Sequence, residues 1–336
     1  MGQGSFQDGI WPERILPQSL PSKVKWAIRK DLTTTFFCAM FLTMMTLKQL
    51  IETFPTEDSC KQFLAERRWP KGVTCPRCGN TRVYALRTRP FHWVCRACAP
   101  KPRYPYRFSV TVGTVFENSN VPLQVWFEVL WQMLNSKKGV SALQIQRQIG
   151  RSYPTAWYMC HRLRAGMQDE EFKRLMGIVE VDETYIGGKD KNRHWNKKSH
   201  VKGGSGKTPV IGAISRKGNV NCRMIENVDA NTLDSFVRET VSEKVDLVAT
   251  DESLAYNRLR AKGYRHQSVN HEKDEYVRGS VHTCNIDNFW SLLKRGIVGT
   301  YHNVSRKYLP LYLNEFSFRH NNRNNPDVFG LAVAEC

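Results

Sequence analysis

The sequence predicts a mixed α/β fold preceded by two small N-terminal units, and three observations carry that reading. GIVEVDETYIGG, Gly177 to Gly188, and VDLVAT, ending at Thr250, are β-branched runs separated by two further strand-like stretches and one helical stretch. Four cysteines stand as two C-x-x-C pairs sixteen residues apart. Between those pairs and the first strand, apolar residues recur at three- and four-residue steps with a glycine break, the mark of short helices.

Composition bounds what such a chain can do. Its 336 residues suit roughly two domains, and 41% apolar with 11% aromatic content is enough to bury a sizeable core. Fifty Lys and Arg against 31 Asp and Glu give +19, which argues for a polyanionic partner, nucleic acid first; a well-solvated basic surface is the plainer alternative. Six of the ten cysteines are scattered singly, so a secreted disulfide framework is excluded. TTTFFCAMFLTMMTL, Thr33 to Leu47, falls short of the ~20 apolar residues that cross a bilayer and lacks a small-residue cleavage site. An intracellular, cytoplasmic protein with no membrane partner is expected.

Helical periodicity begins at Met44 and Met45, so residues 1–44 are expected to be a poorly ordered or non-native extension, an ordered helix being the alternative. Residues 45–115 then form a helix and a ribbon. Cys75, Cys78, Cys95 and Cys98 suit tetrahedral zinc, because each knuckle presents two thiolates from one tight turn and four thiolates leave no open position for catalysis. The intervening TRVYALRTRPFHWV alternates like a hairpin, with Arg82, Arg87 and Arg89 able to face phosphate.

Residues 116–170 shift to a helical pattern at Pro122. Trp126, Val129, Leu130, Met133 and Leu134 mark one face, Gly139 breaks the run, Ser141 can cap a second helix, and GRSYPTAW turns into YMCHRLR. This is the layout of a helix-turn-helix, which would offer Arg151, Arg162 and Arg164 to DNA; a plain packing module has the same pattern.

Residues 171–336 hold the sheet. Glu180 and Asp182 share one strand face, and VDLVAT runs into Asp251, so strand-end acids are expected to meet at one edge. Asp287 opens the helical DNFWSLLKRG, with Lys294 two turns along on the same face and Arg295 completing a basic pair. Three acids held close repel unless a cation joins them, and incompletely filled oxygen ligation suits Mg²⁺ or Mn²⁺ bridging to phosphate. His282 could bind metal or DNA or line a cleft, and Trp290 reads as core. The basic loop 189–208 ends in GKT, but a phosphate loop would need glycine where Val201 stands; the loop either orders on DNA or is a solvated insert. Arg319, His320, Asn321, Asn322 and Arg323 either touch nucleic-acid backbone or close a C-terminal helix.

From about Leu47 onward, the succession of zinc ribbon, helix-turn-helix, VEVDETYIGGK, TDES, HTCNIDNFWSLLKRG and FSFRHNNR resembles the bacterial insertion-sequence transposases with an acidic-triad (DDE) domain, relatives of the Merlin elements. The resemblance implies a ribonuclease H-like catalytic domain, binding of terminal inverted repeats, divalent-metal-dependent cutting and joining of DNA, a homo-oligomer on DNA and a nucleoid location. It implies Asp182, Asp251 and Asp287 as metal-binding acids and Lys294 as the residue orienting a terminal phosphate. Asp287 stands where that family commonly has glutamate, and Cys284 where asparagine is usual, so the third acid is one methylene shorter. A catalytically impaired or domesticated DNA-binding derivative, and a nuclease that does not join, are the alternative functions.

Overall fold

A computed structural model describes residues 45–98, 104–168, 172–187, 207–251, 256, 258–269 and 281–336. Residues 1–44, and residues 189–206 of the basic loop, lie outside the described residues. The first helical stretch is two helices, α1 (Leu47–Thr53) and α2 (Glu57–Arg68), because Pro55 interrupts the run and each start has its own capping box, Thr46 with Gln49 and Thr56 with Ser59. The ribbon is a three-stranded antiparallel sheet, β1 (Val83–Ala85), β2 (His92–Cys95) and β3 (Tyr106–Ser109). Turns replace the strand pattern after Ser109, where Gly113 takes a φ of 75°.

Three helices follow: α3 (Leu123–Asn135), α4 (Ala142–Ile149) and α5 (Tyr153–Gly166). The predicted face of α3 is buried, Val129, Leu130 and Met133 completely. Ser141 caps α4, Gly150 ends it in the left-handed region, and Ser152 with Pro154 starts α5 at once. The connection is therefore shorter than expected, and α5 begins at Tyr153. These helices share one core with α10 (Val328–Glu335), where the Phe127 and Phe329 rings meet at 5.4 Å and Arg67 pairs with Asp327 at 2.6 Å.

The second body is a mixed five-stranded sheet of order β6-β5-β4-β7-β8: β4 (Ile178–Ile186), β5 (Thr208–Ser215), β6 (Val220–Met224), β7 (Leu247–Thr250) and β8 (His266–Ser268). Strands β4, β5 and β6 are antiparallel neighbours, whereas β7 and β8 run parallel to β4. One face packs on α6 (Ala230–Thr240) and the short α7 (Arg258–Ala261) through Val181, Ile211, Phe236 and Leu259. The other face packs on α8 (Cys284–Arg295), a π-helix at Gly296–Tyr301 and α9 (Leu309–Asn321). Alternate residues of each strand serve opposite layers, as the period of two requires. Asn321 closes the far edge: its side-chain amide accepts from Val220 N at 2.8 Å and donates to Val220 O at 3.0 Å, in place of another strand. Asn321 thus closes the end of α9 onto the sheet. Among the described residues no helix is long and apolar enough to cross a membrane.

Two of the arginines expected to meet DNA do not lie free on a surface. Arg164 is 2% exposed, bonds Glu315 of α9 through Nε at 2.7 Å and stacks over the Tyr312 ring at 4.1 Å. Burial is the largest influence and opposes its charge, but Glu315 together with Tyr301, Cys160 and Tyr312 more than offsets it and raises the guanidinium pKa. Arg162 is half-buried, with its guanidinium bonding the Glu117 and Thr114 carbonyls. Arg151 alone of the three is exposed. Breaking a buried pair by removing one partner costs about 3–5 kcal/mol, so Arg164→Met is expected to lower the melting temperature without a separate loss of DNA affinity in the folded fraction. Calorimetry alongside DNA titration of the folded protein checks this.

Candidate active site

The site begins with a buried anchor. Glu180, on β4, is completely buried, and its carboxylate accepts four hydrogen bonds: from Asn285 N (2.8 Å), Ile286 N (3.2 Å), Asn285 Nδ2 (2.7 Å) and Arg216 Nε (2.9 Å). The first two are unpaired amides at the start of α8, where a negative charge is favoured. Thr283 makes no side-chain cap bond, so Glu180 caps the helix from the sheet. The helix consequently begins at Cys284, three residues before the Asp287 start expected from sequence. His282 lies against this anchor, Nδ1 at 3.3 Å from Glu180.

Two residues along β4, Asp182 faces the same helix. Trp290 Nε1 donates to Asp182 Oδ2 at 2.9 Å, so the tryptophan is both buried and oriented toward the acid. Gly212 pairs with Asp182 across β4 and β5, and a Cβ there would stand 2.6 Å from the Trp290 ring. Glycine is what lets the indole approach the sheet this closely.

Asp251 follows β7. Glu180 pairs with Ala249, and two more residues along both parallel strands bring Asp182 level with Asp251. Carboxylate oxygens of Asp182, Glu183 and Asp251 lie within 4.8 Å of one another. Glu183 was not anticipated: strand alternation assigns it to the opposite face from Asp182, where the Tyr256 hydroxyl donates to it. Its only sequence signal was an acid next to an acid. Burial pushes the Asp182 carboxyl up to about 7, and the charges of Glu183, Asp251 and Asp287 add to this. Burial and Asp251 likewise raise Glu183 to about 7 against the lowering effect of Tyr256. Three repelling, oxygen-only groups at this separation fit a hard divalent cation such as Mg²⁺ or Mn²⁺.

Asp287 stands outside that close trio. It lines the same cleft of about 880 Å³ as Asp182 and Glu183, and its Oδ2 accepts from Thr283 Oγ1 at 3.1 Å. Asp287, Trp290, Ser291 and Lys294 present one helix stripe to the cleft, as their spacing predicts, and Arg295 joins them at the rim. Arg295 is steadied by Ser291, whose hydroxyl accepts at 2.8 Å. Lys138, from the turn between α3 and α4, lines the cleft too, and nothing in the sequence marked it.

The four ribbon cysteines converge separately, one sulfur from each within 4.8 Å of the others. Cys75 and Cys95 are buried behind Trp69, Trp93 and Phe108. Hydrogen bonding with Cys78, then burial, pushes the Cys98 thiol up to about 12. Thiols crowded in this way fit a tetrahedral dication that would deprotonate them.

Residues 174–321 match the ISXO2-like transposase domain, and residues 55–101 match the transposase zinc-ribbon domain. A protein of Halobacterium salinarum described as "Uncharacterized protein in transposable element ISH50" is 28% identical over 290 residues, covering 80% of this chain and 92% of its own length. Among solved structures, a chain of the simian T-cell lymphotropic virus intasome in complex with PP2A regulatory subunit B56 gamma is 13% identical at a TM-score of 0.26, covering 50% of this chain and 61% of that chain, less than two thirds. A chain of the pre-cleavage Mos1 transpososome is 13% identical at a TM-score of 0.24, covering 62% and 78% respectively. At those scores neither likeness bears on the fold or chemistry of this chain.

Two metal experiments follow from these geometries. Chelation of the ribbon metal is expected to unfold the segment around Trp69 and Trp93, read by tryptophan fluorescence, with Cys75→Ser losing bound zinc. At Asp182 and Glu183 the carboxyl values near 7 lie above the usual ~4, so the folded protein holds extra protons between those limits. The stability these protons contribute is complete at low pH and lost as pH rises toward 7. A cation must displace them, so Mn²⁺ should raise the melting temperature far more at pH 8 than at pH 6, and Asp182→Asn should abolish the difference.

Proposed function

Since the chain belongs to the transposases that carry an ISXO2-like domain and a zinc ribbon, we propose that it binds the terminal inverted repeats of its own element and cuts and joins DNA at the Asp182–Glu183–Asp251 centre. The supporting observation is that Asp182 and Glu183, which gather with Asp251, line one cleft with Asp287, Lys294 and Arg295. In this reading the mixed sheet is a ribonuclease H-like catalytic domain, and α4 with α5 is a helix-turn-helix. Arg151, exposed at its turn, then contacts DNA beside the exposed Tyr153 and Tyr158, in place of the buried Arg164.

Asp182, Glu183 and Asp251 would hold Mg²⁺ or Mn²⁺, with Asp287 at the cleft wall. The ion supplies Lewis acidity toward a phosphoryl oxygen and lowers the pKa of a bound water or 3′-hydroxyl. The chain's own residues fix the geometry. Trp290 holds one Asp182 oxygen so that the other can face the cleft, Tyr256 orients Glu183, and Glu180 prevents α8 from sliding along β4. Lys294 and Arg295 meet the phosphates flanking the reacting one. The ribbon holds Zn²⁺ through Cys75, Cys78, Cys95 and Cys98 and serves end recognition. Joining two ends calls for a homo-oligomer on DNA, within the nucleoid of a cytoplasm. The position of Asp287 outside the trio favours a second reading, a copy with reduced catalysis that still binds DNA.

Purified protein with Mn²⁺ and duplexes bearing the repeats that flank its gene is expected to give cleaved and joined products. Asp182→Asn and Asp251→Asn should each lose both products by at least about 100-fold. Cleavage without joining identifies a nuclease, and binding without cleavage a DNA-binding derivative. A large gain from Asp287→Glu marks the third acid as the limiting group.

A further inference from the structure

The cleft that contains the acids is not built by the sheet domain alone. Its rim includes Lys138, from the turn joining α3 to α4 in the helical body, beside Lys294 of α8. That turn is fastened at three points. Arg319 Nη1, on α9, donates to the carbonyl of Ser136. Gly139, at a φ of 86°, lies so close to the Tyr301 hydroxyl of the π-helix that a Cβ would collide with it. Gly296 meets the other side, where a Cβ would come within 2.8 Å of the Lys138 carbonyl. The backbone of Lys138 is thus gripped between two glycine contacts that no other residue allows, while its side chain is exposed and, among the described residues, has no carboxylate partner.

A lysine held in this way is a placed charge, not a solvated surface residue. Once cations neutralise the acid trio, Lys138, Lys294 and Arg295 leave the cleft positive, which is complementary to a phosphodiester backbone passing over the acids. We propose that Lys138 is a DNA-phosphate-binding residue of the catalytic cleft, supplied by the helical body and locked against the π-helix. This rests on the reading of the cleft as a nucleic-acid site. It also gives the π-helix a purpose: its glycine and tyrosine shape the seat of the turn, and a π-turn inside a helix is an irregularity that costs regular hydrogen bonding.

The test is duplex binding by the full chain in Ca²⁺ across a salt series, read by fluorescence anisotropy. A lost phosphate contact lowers the slope of log K against log salt by about 0.9. Lys138→Ala and Lys294→Ala are each expected to show that drop with unchanged melting temperature, and Lys138→Arg to restore it. Lys137→Ala, at the exposed neighbour that does not line the cleft, should leave the slope unchanged. A drop for Lys294→Ala without one for Lys138→Ala overturns the assignment of Lys138 and leaves the cleft reading standing. No drop for either overturns the cleft reading itself. An equal drop for Lys137→Ala would mean that only diffuse charge is sensed, and would also overturn the assignment.

Discussion

The attachment of β4 to α8 through Glu180 is the constraint on which the site depends. A carboxylate with no solvent exposure is expensive to desolvate unless its lone pairs are filled. Here they are filled by the first free amides of α8, by Asn285 and by Arg216. The arrangement satisfies both parties, because the helix start lacks a side-chain cap of its own. Its consequence is registration: with residues 285 and 286 fixed to residue 180, the stripe of Asp287, Trp290 and Lys294 can lie only over Asp182 and the cleft beyond it.

A second charged joint ties the two bodies together. Arg164 of α5, Glu315 and Arg319 of α9, and Tyr301 of the π-helix meet in one buried network, Tyr301 Oη lying 3.3 Å from either Glu315 oxygen. Through Arg319 the network reaches Ser136, and so the turn that carries Lys138. Such networks stabilise less than apolar packing of the same volume would, but they define one geometry because a shifted partner leaves a charge stranded. A cleft assembled from two bodies needs that definition more than it needs added stability.

What was legible in the sequence was what local pattern controls. The cysteine pairs converge, the alternating and β-branched runs are strands, and the i, i+3, i+7 stripe of α8 faces one cleft. Asp182 and Asp251 come level because β7 runs parallel to β4 with Ala249 opposite Glu180, so the acid that follows β7 reaches the middle of β4. What was hidden involves partners far along the chain. The start of α8 was misread because its cap lies about one hundred residues upstream, at Glu180. Arg164 sits in a basic helix and looks like a surface residue; its counter-charge is 151 positions away. Glu183 was passed over because strict alternation sends it away from Asp182, whereas at the mouth of the sheet Asp251 lies within reach of both.

The return of α10 to the helical core has a temporal meaning. Phe329 completes an aromatic cluster with Phe54, Phe63 and Phe127, residues synthesised some two hundred or more positions earlier. A polypeptide emerging from the ribosome N terminus first can fold its sheet domain before that cluster can close. The helical body, and with it the final seating of the Lys138 turn, therefore waits until residues 328–335 are free.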